Sequence, residues 1–136
     1  MKKEVLDFLK TERVGVLAVK MPDGSPHGAT LHFASSEDGI TFVFHTSPSY
    51  RKVEALKQGD TAASFVVGTS EEIMKTLQMD GIAKFEDTEE IRRVYFEKFP
   101  EKLKKPSDGL FFTFTPTWWR FTDWKTPQGK VVLTSE

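Results

Sequence analysis

GATLHFASSEDGITFVFHTSPSYRKVEALKQGDTAASFVV, residues 28–67, decides how the chain folds. It reads as two alternating strands joined by a short turn, then a capped helix opening with an Arg-Lys pair, then an apolar third strand. A Ser at an N-cap accepts a backbone N–H, and Pro at the first helical position loses no hydrogen bond, so the helix is predicted to start at Ser47-Pro48. Val53 and Leu56 give it a buried stripe and Gly59 the left-handed residue after the last turn, for about three turns. Arg51 and Lys52 then fall in the first turn, where the helix dipole favours acids, and the hydroxyls of Thr46, Ser47 and Ser49 lie close by. Two cations and three hydroxyl donors in one turn suit the oxygens of a phosphate, whereas the plain alternative is a solvated surface pair.

This order of elements resembles the FMN-binding split-barrel family related to pyridoxamine 5'-phosphate oxidase. The sharp part of the resemblance runs from His45-Thr46 through Ser49-Tyr50-Arg51-Lys52 to Gly59-Asp60. It implies a mainly β (α+β) fold: a six-stranded antiparallel split β-barrel of Greek-key type with two to three short helices, forming a homodimer. In that family the flavin phosphate is gripped by the Arg-Lys pair and the preceding Thr, which here are Arg51, Lys52 and Thr46, with Ser47 alongside. The isoalloxazine lies along the strand before the hairpin and would face Ala29, Thr30, Leu31 and His32. His45 is expected as a positioning donor beside the phosphate. Thr76 or Gln78 would reach the flavin from a later strand, and Trp119 and Arg120 would contact cofactor or substrate from the terminal strand in the seam between protomers.

Two departures limit the resemblance. The strand before the hairpin has Gly28, Ala29 and His32 in place of the oxidases' Arg and Lys, and WWRFTDW has Arg120 but no following Arg-x-His partner. Vitamin-forming oxidase activity is therefore not expected. The implied protein is a small flavoprotein with FMN, a reductase or electron-transfer protein using small-molecule donors and acceptors, in which the flavin does the chemistry. Deazaflavin or haem on the same fold, or a cofactor-free dimeric binding or regulatory module, are the alternatives.

Composition narrows the classes further. The chain has 136 residues, 38% hydrophobic and 29% charged, which fits one domain over residues 1–136 with a C-terminal tail from about 125. Nineteen basic and twenty acidic residues leave a formal charge of −1, so no global field favours nucleic acid or an anionic membrane. The absence of cysteine excludes disulfides, thiolate metal sites and cysteine nucleophiles, and is compatible with the cytoplasm. MKKEVLDFLK carries Glu4, Asp7 and Lys10 among its apolar residues, unlike a signal peptide, and no run approaches a membrane span.

Outward from the central stretch, Val5, Leu6, Phe8 and Leu9 predict an amphipathic helix, and Arg13–Lys20 a strand apolar on both faces. MPDGSP, residues 21–26, is a turn. Period-two alternation puts His27, Ala29, Leu31 and Phe33 on one face of the next strand and the small or polar Gly28, Thr30, His32 and Ala34 on the other. That second face would admit a flat cofactor, or would simply face solvent. Ser36–Gly39 is a turn, and Ile40, Phe42 and Phe44 form the expected inward row of the returning strand. His27 and His32 point to opposite faces and His45 lies elsewhere, so no metal motif forms. Residues 68–72 read as a loop and Ile73–Phe85 as a long strand with Gly81 at a bulge or close approach. Asp87-x-x-Glu90 opens a helix carrying Ile91, Val94, Tyr95 and Phe99, and residues 97–108 read as a solvated charged loop. Gly109–Trp124 is an aromatic strand with Pro116 at an edge or bend, and Val131–Leu133 lies along a partner or the barrel edge.

Overall fold

The alternating rows become the strands of one antiparallel sheet. In the computed structural model, which describes residues 1–68, 70–104 and 109–136, the helices are α1 (Lys3–Thr11), α2 (Lys52–Leu56) and α3 (Glu89–Lys98), followed by a 3-10 turn at Pro100–Lys104. The strands are β1 (Val14–Lys20), β2 (Pro26–His32), β3 (Ala34–Ser35), β4 (Phe42–Thr46), β5 (Thr61–Val67), β6 (Lys75–Phe85), β7 (Leu110–Thr126) and β8 (Gly129–Thr134). The sheet order is β2-β1-β5-β6-β7-β4-β3, with β8 paired to β7 outside that path. Its two end strands are separated in the chain by Phe33 alone, so the sheet curls until its ends approach, as a split barrel does. The expected six strands are eight, because Phe33 turns into the core and divides one strand into β2 and β3, and because the C-terminal tail adds β8.

Phenylalanines fill the curl. Phe33, Phe42, Phe44, Phe65, Phe112 and Phe114 are fully buried. The Phe65 ring sits 5.0 to 6.0 Å from those of Phe33, Phe42, Phe44 and Phe114, mostly edge to face, the geometry that aromatic quadrupoles favour. Val5, Phe8 and Leu9 of α1 join this core, as their helical spacing requires. A second, smaller cluster forms where Ile91 and Tyr95 of α3, with Phe99 at its C-cap, cover Ala34, Val43 and Phe111. At Gly81 a side chain is impossible: a Cβ would stand 2.1 Å from the Thr115 carbonyl oxygen, and the β6–β7 register shifts there, opposite Pro116.

Several local expectations are corrected. The helix after β4 starts at Lys52 and has five residues, because Tyr50 N–H donates to the Ser47 carbonyl and Ser49 N–H to the Ser47 hydroxyl, spending the Ser-Pro signal on a turn. Ile40 is 53% exposed and lies before β4, not in its inward row. β6 begins at Lys75, since Met74 adopts a left-handed φ of 53°. Ala34 does not share the open face of β2 but is buried under α3. The N-cap of α3 is Thr88, whose Oγ1 accepts from Ile91 N–H, while Asp87 pairs instead with Arg92. β1 is covered on one face only in the single chain: Leu17 and Val19 are buried, Val14 is exposed, and Val16 and Ala18 are half-buried. Within the charged stretch, residues 97–98 end α3 and 100–104 form the 3-10 turn; residues 105–108, like Thr69 in the earlier loop, lie outside the described residues.

Candidate functional site

Strand alternation sorts the residues at the end of β4. Thr46 points to the same side as Phe42 and Phe44 and is 5% exposed, yet its Oγ1 has no hydrogen-bond partner among the described residues. An unsatisfied buried hydroxyl costs roughly 1–3 kcal/mol, so it marks a place where a polar group is wanted. His45 points the other way, stacked on Phe111 at 4.5 Å and edge-on to Tyr95 at 5.8 Å. Its expected place beside Thr46 is therefore corrected: β4 puts the two on opposite faces.

Lys52, six residues after Thr46, is also only 5% exposed. Burial lowers its pKa, and no carboxylate lies within ion-pair distance of it among the described residues. Its Nζ instead lies 4.6 Å from the centre of the Tyr50 ring. Arg51 is exposed, and its positive field reaches Asp23 in the β1–β2 turn, whose carboxyl is held low first by the Ser25 hydroxyl and amide. Ser47 Oγ and Ser49 Oγ are 3.0 Å apart on the turn between Thr46 and Lys52. Since α2 has only five residues, any anion attraction here rests on the Lys52 and Arg51 charges and the hydroxyls, not on a macrodipole.

The outer face of the sheet holds a second set. Pairing register aligns Thr30, Val16, Val66, Gln78, Arg120 and Thr134 in one row across β2, β1, β5, β6, β7 and β8. His32 and Thr76 lie on the same face, one step along their strands. Arg120 is half-buried and its Nε is buried without a partner among the described residues. His32 is exposed with its ring 5.4 Å from that of Phe99, and burial, then the Lys102 and Arg13 charges, lower its pKa, keeping it neutral at pH 7. The structure thus unites Thr30, His32, Thr76, Gln78 and Arg120 on one face. Ala29, Leu31 and Trp119 are on the opposite face, paired in rows with Leu17, Phe65 and Met79 or with Gly15, Val67 and Leu77, so they turn toward the core.

Beside the row, β1, β5 and β6 form a shallow groove of about 490 Å³ floored by Ala18, Ala62 and Gly81, where the Ser64 hydroxyl donates to Asp80 at 2.8 Å. Sequence reading missed Tyr50 as the neighbour of Lys52, although the i, i+2 spacing across a turn was visible. It also missed Val16 and Val66, because row membership depends on register.

A family profile described as Pyridoxamine 5'-phosphate oxidase matches residues 1–123. The chain belongs to the pyridoxamine 5'-phosphate oxidase family. No curated protein matches it. Among solved structures, a conserved hypothetical protein from Mycobacterium tuberculosis is 21% identical, with a TM-score of 0.70 over 90% of this chain and 85% of that one. A heme storage protein from Vibrio cholerae is 19% identical, with a TM-score of 0.64 over 85% and 89%. The FAD binding protein from Mycobacterium smegmatis is 16% identical, with a TM-score of 0.62 over 89% and 93%. At such identities these likenesses carry the fold alone. No helix among the described residues is long and apolar enough to cross a membrane.

Proposed function

We propose that this member of the family is a small FMN-binding flavoprotein: a homodimeric oxidoreductase of the reductase or electron-transfer kind, with small-molecule donor and acceptor, in the cytoplasm. The observation that carries the reading is a buried lysine without a carboxylate, Lys52, following a buried hydroxyl without a partner among the described residues, Thr46. A phosphate monoester satisfies both: it gives the ammonium, whose pKa burial lowers, the anionic partner it lacks, and it accepts the hydroxyl hydrogen. Arg51 adds an exposed charge at the mouth.

Spacing argues for a site shared between protomers. α2 packs on β1, β2 and β6 at one end of the curled sheet. Four strand spacings separate Thr30 from Arg120, about 19 Å at the usual interstrand distance. A tricyclic ring lying against Thr30 cannot also touch Arg120 in the same chain. Arg120 would therefore face the ring held by the partner, where its fixed positive charge, and its Nε–H without a partner among the described residues, would favour added negative charge on that ring. When bound, the flavin supplies the electron transfer, while the protein positions it and shields it from water. The missing oxidase residues argue against vitamin formation, as the sequence does.

A second reading, haem on the same fold, is favoured by one observation: His32 is exposed and neutral on the open face, the state an axial ligand needs. Optical titration separates the readings. Apoprotein taking up FMN with an oxidised-flavin spectrum supports the first; a Soret band on adding haem, lost in His32→Ala, supports the second; binding of neither favours a cofactor-free module. Under the first reading, Lys52→Ala weakens FMN binding by roughly 10- to 150-fold, the worth of one charge-assisted contact of about 1.5–3 kcal/mol. Unchanged affinity removes the phosphate site. A screen of holoprotein with reduced nicotinamides then addresses the electron donor.

A further inference from the structure

Lys52 and Tyr50 differ sharply in exposure. The lysine is 5% exposed and the tyrosine 58%, and the lysine Nζ lies 4.6 Å from the centre of the tyrosine ring. The exposed aromatic ring therefore lies against the buried ammonium and covers it on one side. Its backbone is fixed from both sides, Tyr50 N–H donating to the Ser47 carbonyl and the Tyr50 carbonyl accepting from Val53 N–H, so the side chain is the movable part. The ring face also offers the ammonium a weak electrostatic partner in place of the carboxylate it lacks.

We propose that Tyr50 is a gate: its ring holds the Lys52 ammonium in the unliganded protein and swings aside when a phosphate monoester enters. This rests on the phosphate reading of Lys52 given above. The exchange is favourable in one direction only, since a cation–π contact at a solvent-facing site is weaker than a charge-assisted hydrogen bond to a dianion. A neutral ligand, or an anion held only at the exposed Arg51, gains nothing by opening the ring. The gate thus makes the site selective for a terminal phosphate over ligands that carry none.

Lysine acylation read by mass spectrometry tests the gate without any activity. In the apoprotein, Lys52 of the wild type and of Tyr50→Phe, which keeps the ring, is expected to label slowly. Tyr50→Ala, at an exposed turn position whose hydrogen bonds are made by the backbone, is expected to label faster and to bind FMN roughly two- to fivefold more tightly, the factor a solvent-facing cation–π contact represents. Labelling unchanged in Tyr50→Ala overturns the gate whatever FMN does, and so does weaker FMN binding in that variant, which would make the ring a ligand contact. Faster labelling with no FMN binding or protection in any form shows a ring that covers Lys52 but no phosphate site; it overturns the phosphate reading and the selectivity drawn from it.

Discussion

Gly15 has no room for a methyl group. A Cβ built there would lie 2.6 Å from the Phe65 ring and 2.8 Å from the Val66 carbonyl oxygen. Phe65 touches four other core rings and cannot retreat, so Gly15→Ala is expected to cost about 1–3 kcal/mol, read as a lower denaturation midpoint at constant m. Lys98 makes the opposite point about charge. Its Nζ donates to the carbonyls of Leu9 and Glu12 at the end of α1 and lies 4.0 Å from the Phe33 ring centre. Burial first, and Arg13 second, push its pKa down to about 8 from the usual 10.5. A lysine that binds its proton less tightly when folded releases it earlier than the unfolded chain does. Between pH 8 and 10.5 the unfolded state therefore holds more protons, and this residue's contribution to stability rises with pH, with a slope of at most about 1.4 kcal/mol per unit. The difference in unfolding free energy between wild type and Lys98→Met should grow across that window; parallel curves would refute the linkage.

Among the elements, α3 is the one whose ends are chemically specified. Thr88 caps it at 3.2 Å, Glu89 and Glu90 sit in its first turn and Lys98 in its last. Thr88→Ala is expected to destabilise the protein by about 1 kcal/mol, with Thr88→Ser nearly neutral, as thermal melts would show. Strand alternation made β2 and β4 legible in the sequence, apolar runs made β1 and β5 legible as strands though not the one-sided burial of β1, and helical spacing made α1 and α3 legible. Gly81 was legible as a bulge or close approach and Pro116 as a bend, but that the two stand opposite each other depends on the β6–β7 register. α2 was misread at its start for a physical reason: Ser-Pro serves a turn as well as a helix cap, and the hydrogen bonds made by Ser49 and Tyr50 choose the turn. The division of the candidate site was not legible either. Thr30, Gln78 and Arg120 are far apart in sequence and form a row only through the β1–β5–β6 register, and Ala29, Leu31 and Trp119 fall on the other side by the same parity. Thr46 and Lys52 could be named in advance because one turn links them, but their burial depends on the barrel end that encloses them.

At the scale of the whole molecule, a site shared between two protomers makes a quantitative prediction. Under the proposed homodimer with shared sites, Lys52→Ala and Arg120→Ala are each expected to impair both sites. In a mixed dimer one site carries both changes and the other neither. After subunit exchange of equal amounts, roughly a quarter of all sites should bind FMN with wild-type affinity. A titration showing no high-affinity fraction after confirmed exchange would mean that Lys52 and Arg120 serve the same chain, or separate ligands. Both rims of the sheet hang from Phe33, with β2 paired to β1 on one side and β3 to β4 on the other. Sliding β2 along its neighbour drags the far rim by the same residue, so the circumference behaves as a clasped band that resists widening. Any give needed to admit a guest is displaced onto side chains outside the band, the Tyr50 ring on its hydrogen-bonded turn foremost.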